Sequence, residues 1–159
     1  MRLLTTMVFT LSLGVNGWAQ EEVTPGRVEA SGVLGLTAFG TDITKHTMVG
    51  GAADVRLVTG LRVGSEFLYY IGPEDDRDMT LSLTTSYDFK REGRAIPFVT
   101  VAGGMLRRSY GGVWWSESFT SSAGGGVKIA LSKRVFVAPE IRAGWNPVFQ
   151  ASVRLGYRF

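Results

Sequence analysis

Cysteine is absent from this 159-residue chain, histidine occurs once, and there are only 5 prolines. Without thiols there is no disulfide framework, no thiolate-built zinc or iron-sulfur site and no cysteine nucleophile. Long apolar runs are also missing. After residue 20, charges interrupt every such run within about a dozen residues, whereas a spanning helix needs about 20. Charged residues make up 19% of the chain, and the formal net charge of +3 is dispersed along it, which excludes the basic footprint of a nucleic-acid-binding protein. Disorder is excluded as well, because 45% of the residues are hydrophobic.

The one place where an uninterrupted apolar stretch occurs is the start. Arg2 is the only charge before Glu21, and Leu3, Leu4, Met7, Val8, Phe9, Leu11, Leu13 and Val15 form a short hydrophobic core. Gly17-Trp18-Ala19 then places small residues at the two positions a signal peptidase reads. A signal peptide is expected over residues 1–19, leaving Gln20 as the mature N-terminus and a single domain over 20–159. Glycine is abundant, with 21 residues and no three-residue period, which suits a curved sheet rather than collagen.

Helix-period stripes do not occur. What recurs is alternation of apolar and polar residues in runs of about 10 to 14, each closed by a turn signal. At the C-terminus Phe149, Ala151, Val153, Leu155, Tyr157 and Phe159 alternate with Gln150, Ser152, Arg154, Gly156 and Arg158. Met79, Leu81, Leu83, Thr85, Tyr87 and Phe89 alternate in the same way with Thr80, Ser82, Thr84, Ser86, Asp88 and Lys90. Eight strands are predicted, over 27–39, 49–58, 61–71, 79–90, 94–107, 119–131, 135–145 and 149–159. The strand at 94–107 is nearly apolar on both faces and its register stays open. Tight turns at Thr59-Gly60, Arg91-Glu92-Gly93 and Ser132-Lys133-Arg134 alternate with longer connectors at 40–46, 72–76 and 108–117 and a short one at Asn146-Pro147. Pro139 cannot donate to a ladder, so a bulge or a locally broken ladder is expected there.

Short turns at one end and longer loops at the other fit an all-β, eight-stranded antiparallel up-and-down transmembrane β-barrel. The apolar faces of the well-registered strands carry no Lys, Arg, Asp or Glu, as a lipid-facing surface requires. The opposite faces carry Glu29, Asp54, Arg56, Arg62, Glu66, Lys128, Glu140, Arg142 and Arg154, four acids and five bases. Charges enclosed in a lumen are tolerated only when paired, so an ion-pair network plugging the barrel is expected. Tyr87, Phe89, Tyr157 and Phe159 gather at the tight-turn end, and Tyr69, Tyr110, Trp114, Trp115 and Trp145 at the other, as interfacial or loop aromatics.

These features, with the terminal run Ala151-Ser152-Val153-Arg154-Leu155-Gly156-Tyr157-Arg158-Phe159, resemble the small outer-membrane barrels related to the OmpA transmembrane domain and the OmpX/Ail group. The resemblance implies an outer-membrane location, with lipid and lipopolysaccharide as surroundings. It also implies a monomer and a structural or surface-interaction role through the loops toward an unspecified host or cell-surface ligand; no OmpA-type peptidoglycan-binding domain is expected, because the chain stops at the barrel. It further implies that Val153, Leu155, Tyr157 and Phe159 are the signal read by the barrel-assembly machinery.

Two alternatives are an outer-membrane lipid-modifying enzyme and a soluble lipocalin-like ligand-binding barrel. The enzyme would need a histidine base. His46 lies in a predicted loop, where a solvated side chain is expected. The soluble barrel would want an apolar interior. Glu74-Asp75-Asp76 with Asp78 is a candidate for a divalent cation but is read as a charged surface turn. Gly103-Gly104 and Gly124-Gly125-Gly126 lie inside strands and are not phosphate loops. No catalytic, cofactor or metal-binding residue, and no cofactor, is assigned from the sequence.

Overall fold

A computed structural model describes residues 28–39, 44–89 and 94–159. The expected signal peptide and its cleavage site, most of the first loop and the turn at Arg91-Glu92-Gly93 lie outside the described residues. Eight strands, β1 (Val28–Phe39), β2 (Thr44–Val58), β3 (Leu61–Ile71), β4 (Arg77–Asp88), β5 (Ala95–Tyr110), β6 (Val113–Ala130), β7 (Val135–Trp145) and β8 (Phe149–Arg158), follow one another around the wall. Each pairs antiparallel with its sequence neighbours, and β8 pairs with β1 to close the barrel. Closure leaves no full-length sheet edge, which hydrocarbon would not tolerate. At 10 to 18 residues, every strand is long enough for a tilted crossing, which takes about 9–11 residues.

The turns follow their local chemistry. Thr59 and Gly60 connect β2 to β3, with Gly60 at φ 84 and a register shift between Arg56 and Val58. At the β6–β7 turn the Ser132 hydroxyl accepts from the backbone N–H of Val135 at 3.0 Å and of Arg134 at 3.3 Å. Residues 108–117 do not form the expected loop. β5 runs on to Tyr110, Gly111 and Gly112 make the turn at φ 57 and 80, and β6 begins at Val113. Two successive positive-φ glycines suit the twist of a hairpin, so pairing continues to the tip. The expected loop at 40–46 is also shorter than its reading, because β2 already includes Thr44 to Met48.

Pro139 sits on the outer face of β7 and pairs in register with Val153 of β8. Toward β6 the ladder runs through Gly126–Glu140 and resumes at Ile129–Val137 in the same register. The ladder is therefore interrupted without an inserted residue, as the missing N–H requires. A shallow groove of about 420 Å³ lies on the outer wall there, between Leu34, Gly125, Pro139 and Ala151.

Burial is inverted relative to a water-soluble protein. Among the described residues, buried polar and charged side chains outnumber buried hydrophobic ones about two to one. Leu34, Leu36, Leu81, Leu83, Val101, Met105, Phe119, Ile141 and Leu155 are all more than half exposed. Soluble monomers rarely expose apolar patches beyond a few hundred Å², so this continuous belt is a surface for lipid. The undecided strand is settled by the same logic: Val99, Val101 and Met105 face out, and Phe98, Thr100 and Leu106 face in.

Candidate functional site: the charged lumen and the loop-end rim

Because strand side chains alternate, every second residue of the eight strands enters the lumen. Those side chains stack in layers from the tight-turn end to the loop end. In the first layer Glu29 of β1 gathers three cations: Lys128 Nζ at 2.6 Å, Arg158 Nε at 3.0 Å and Arg62 Nη1 at 3.2 Å. Asp88 takes Arg62 Nη2 at 2.7 Å and Lys128 at 3.5 Å. Asp54 lies 3.9 Å from Arg62 and accepts a hydrogen bond from Thr84 at 3.2 Å. Three acids thus meet three bases. Phe136 packs under two of the cations, 4.7 Å from Lys128 and 5.2 Å from Arg158, a further favourable contact for desolvated charge.

The second layer is a closed quartet. Arg142 of β7 donates to Glu66 at 2.8 and 3.1 Å and to Glu140 at 2.7 and 3.2 Å. Arg154 of β8 donates to Glu140 at 2.7 Å and to Glu66 as well. Paired guanidinium and carboxylate forks are the strongest arrangement available for such ions, and two acids again balance two bases. Between the layers about 10 Å³ of space remains, room for a single water at most.

Toward the loop end the filling becomes apolar and neutral. Val33, Phe39, Met48, Leu68, Tyr70 and Leu106 form a buried cluster. The Tyr70 hydroxyl accepts from Gln150 Nε2 at 3.0 Å and lies 3.2 Å from Thr80 Oγ1. Above it His46, Asp76, Asp78 and Arg108 form the rim. His46 is 2% exposed rather than solvated, with Nε2 3.0 Å from Asp76 Oδ2 and its ring edge-on to Phe39 at 5.0 Å.

Eight of the nine predicted lumen charges meet in the two layers, and Arg56 does not. It is half-buried, its Nε has no hydrogen-bond partner, and it makes no ion pair among the described residues. Its position beside the β2 register shift removes it from the cluster. Asp88 and Arg158 are the missed partners. Both already stand on the polar faces read from the alternation; that they lie level with Glu29 and Lys128 follows only from register. Val153, Leu155, Tyr157 and Phe159 all point outward, and Tyr157 and Phe159 stack edge to face at 5.0 Å. Tyr87 and Phe89 do the same at 5.3 Å.

At the other end Trp145 is 68% exposed, Tyr69 is half-buried, and Trp114 lies 5.1 Å from the Arg107 guanidinium. The side chains of Tyr110 and Trp115 lie outside the described set. Arg107 and Glu117, 3.8 Å apart on the outer wall, sit one outward position beyond Met105 and Phe119 and mark where the apolar belt ends.

An apolar exterior, a closed wall and, among the described residues, a lumen filled by compensated charge define the class: an eight-stranded membrane-spanning barrel. No protein-family model matches the sequence, and no curated protein matches it. Among solved structures the chain is similar to the N-terminal β-barrel domain of Pseudomonas aeruginosa OprF, with a TM-score of 0.69 and 16% identity over 84% of this chain and 97% of that one. It is also similar to Neisserial surface protein A, at 0.65 and 17% over 84% and 95%. Ail, the attachment invasion locus protein of Yersinia pestis, follows at 0.55 and 14% over 85% and 99%. At such identities the likeness is one of fold: the architecture of small outer-membrane barrels.

Proposed function

We propose that this chain is a monomeric, non-enzymatic outer-membrane barrel that serves the envelope structurally or through surface interactions at its loop end. The observation that carries this is the pair of charge-balanced layers, five acids against five bases, filling the lumen inside an apolar wall. Eight strands enclose only enough space for side chains, and here that space is spent on ion pairs. The same arrangement disfavours a soluble ligand barrel, which would need an apolar pocket inside and a polar surface outside. The contacting surface is the β5–β6 hairpin, whose strands are the longest, together with the turn at 72–76.

Fractionation tests the location. The protein should sediment with outer membranes, begin at Gln20 and migrate faster unheated than boiled on a gel. Recovery as a soluble periplasmic protein would overturn the proposal. Reconstituted in planar bilayers it should conduct no ions, and steady channel currents would remove the plugged-lumen reading. Release of fatty acid from phospholipid or lipopolysaccharide by the folded barrel would overturn the non-enzymatic one.

A further inference from the structure

At the loop end three side chains converge: His46 from β2, Asp76 from the β3–β4 turn and Asp78 from β4. One ligating atom of each lies within 4.8 Å of the other two. His46 and Asp78 are 2% and 3% exposed. Asp78 Oδ1 is buried and has no hydrogen-bond partner among the described residues. A buried carboxylate oxygen without a partner is costly, the more so when the group is charged. The cost is removed if the oxygen ligates a cation.

We propose that His46, Asp76 and Asp78 bind one divalent transition cation of the zinc or cobalt class. One imidazole nitrogen with two carboxylates suits such ions, whereas calcium takes six to eight oxygens and magnesium keeps a mostly aqueous octahedron. Donors sharing an ion at bond lengths of about 2.1 Å stand roughly 3.0–3.4 Å apart, and His46 Nε2 is 3.0 Å from Asp76 Oδ2. The cation takes the place of the hydrogen between these two atoms, so Nε2 must be free of hydrogen to bind it. Three protein ligands leave at least one position for water.

The site is held before any ion arrives. Phe39 fixes the His46 ring edge-on, and the turn closes directly over it, since a Cβ on Gly72 would come within 2.3 Å of His46 Nε2. Within the turn Gly72 N–H donates to the Asp76 carbonyl at 2.9 Å, and Arg77 Nη1 donates to the carbonyls of Gly72 and Asp76 at 3.2 and 3.0 Å. Glu74 and Asp75, at φ 52 and 60, carry the chain back so that Asp76 faces the barrel. The facing cation is Arg108 on β5, in register with Asp78, whose Nη2 donates to Asn146 Oδ1 at 3.0 Å and whose guanidinium lies over Phe39. Arg77 is paired with Asp75 at 3.5 Å, so Asp76 and Asp78 face Arg108 alone and leave the rim with net negative charge to attract the ion.

The test uses the full-length mature protein, folded in detergent, made without a polyhistidine tag and stripped with a chelator. Titration with Zn²⁺ by calorimetry should show one equivalent bound. Co²⁺ should give visible absorption bands that Zn²⁺ abolishes. His46→Ala and Asp78→Asn should each weaken binding at least tenfold, while Glu117→Gln, whose exposed side chain lies on the outer wall beside Arg107, should leave it unchanged. Heat-modifiability gels confirm that each variant is folded, and Asp76→Asn replaces Asp78→Asn if the latter does not fold. Absence of saturable binding, or equal affinity in the His46 and Asp78 variants and the parent, would overturn the assignment.

Discussion

The two halves of the lumen are filled by different means. From the tight-turn end to the middle, ten charges from seven strands form ion pairs. Toward the loops, Leu68, Tyr70, Met48 and Leu106 fill the same cross-section with apolar and neutral groups. The difference bears on how a barrel knows its inside from its outside. A strand shifted by one residue turns its whole side-chain set over, and an apolar lumen would penalise that little when lipid waits outside. A charged layer penalises it heavily, because the ions would enter hydrocarbon. Buried ion pairs are weak sources of net stability, so their value here lies in register. The loop half does not need that device and can spend its polar groups on a rim open to ligands.

The sharpest way to break the contrast is within the quartet. Glu140 accepts from both Arg142 and Arg154 and is 3% exposed. Glu140→Gln keeps the shape and removes the charge, leaving two guanidiniums to share Glu66. Breaking a buried pair from one side costs about 3–5 kcal/mol, which should appear as a large drop in the urea midpoint of the vesicle-folded barrel. In the loop half, Gln150→Leu, which removes the hydrogen bond to Tyr70, should cost about 1 kcal/mol. Equal midpoints for the two variants would dissolve the distinction.

Much of this was legible in the chain because alternation is a local property. Phe149 to Phe159 and Met79 to Phe89 show which side faces out without reference to any other strand, and the polar sides collect the ions. What alternation cannot show is which residues lie level with one another around the wall. Asp88 and Arg158 stand on polar faces in the sequence, but only register places them beside Glu29 and Lys128. His46 looked like a solvated loop residue because the stretch around it is polar, yet in a membrane barrel polar residues on one face are the sign of the interior. The same inversion hid Asp78. The tip of the β5–β6 hairpin, 108–117, reads as a loop for a related reason: Arg108 and Glu117 carry loop polarity, although paired strands can carry such residues once they rise above the lipid.

The next effect in size tests the outer wall against the inner one. Leu83 points outward from the middle of β4 and is 71% exposed. Leu83→Arg should cost about 2–4 kcal/mol in lipid vesicles and much less in a small detergent micelle that deforms around the charge. A comparable loss in both would mean that the belt does not face lipid. A smaller effect is expected at Gly156, where an added Cβ would come within 2.1 Å of the Phe136 ring that lies across it. Gly156→Ala pushes that ring from its place beside Lys128 and Arg158, and overpacking of this kind costs about 1–3 kcal/mol. Adding Phe136→Leu should recover part of the loss, measured as a partial return of the midpoint.

The smallest expected change in stability is at the very end of the chain. Phe159 donates its backbone N–H to the Val28 carbonyl at 3.0 Å and stacks against Tyr157, with its ring 71% exposed. Ten β8 residues remain paired with β1, from Ala38–Phe149 to Glu29–Arg158, so the seam survives its removal. Deleting Phe159 should therefore lower the folded stability in detergent by only about 1 kcal/mol, the worth of one hydrogen bond. Insertion in cells is a different matter if the resemblance to small outer-membrane barrels extends to assembly, for then the lost residue is the one the machinery reads. The deletion variant should fold in detergent at nearly the parental yield while its level in the outer membrane falls several-fold. Normal cellular levels would separate the terminal phenylalanine's structural contact from any part in recognition.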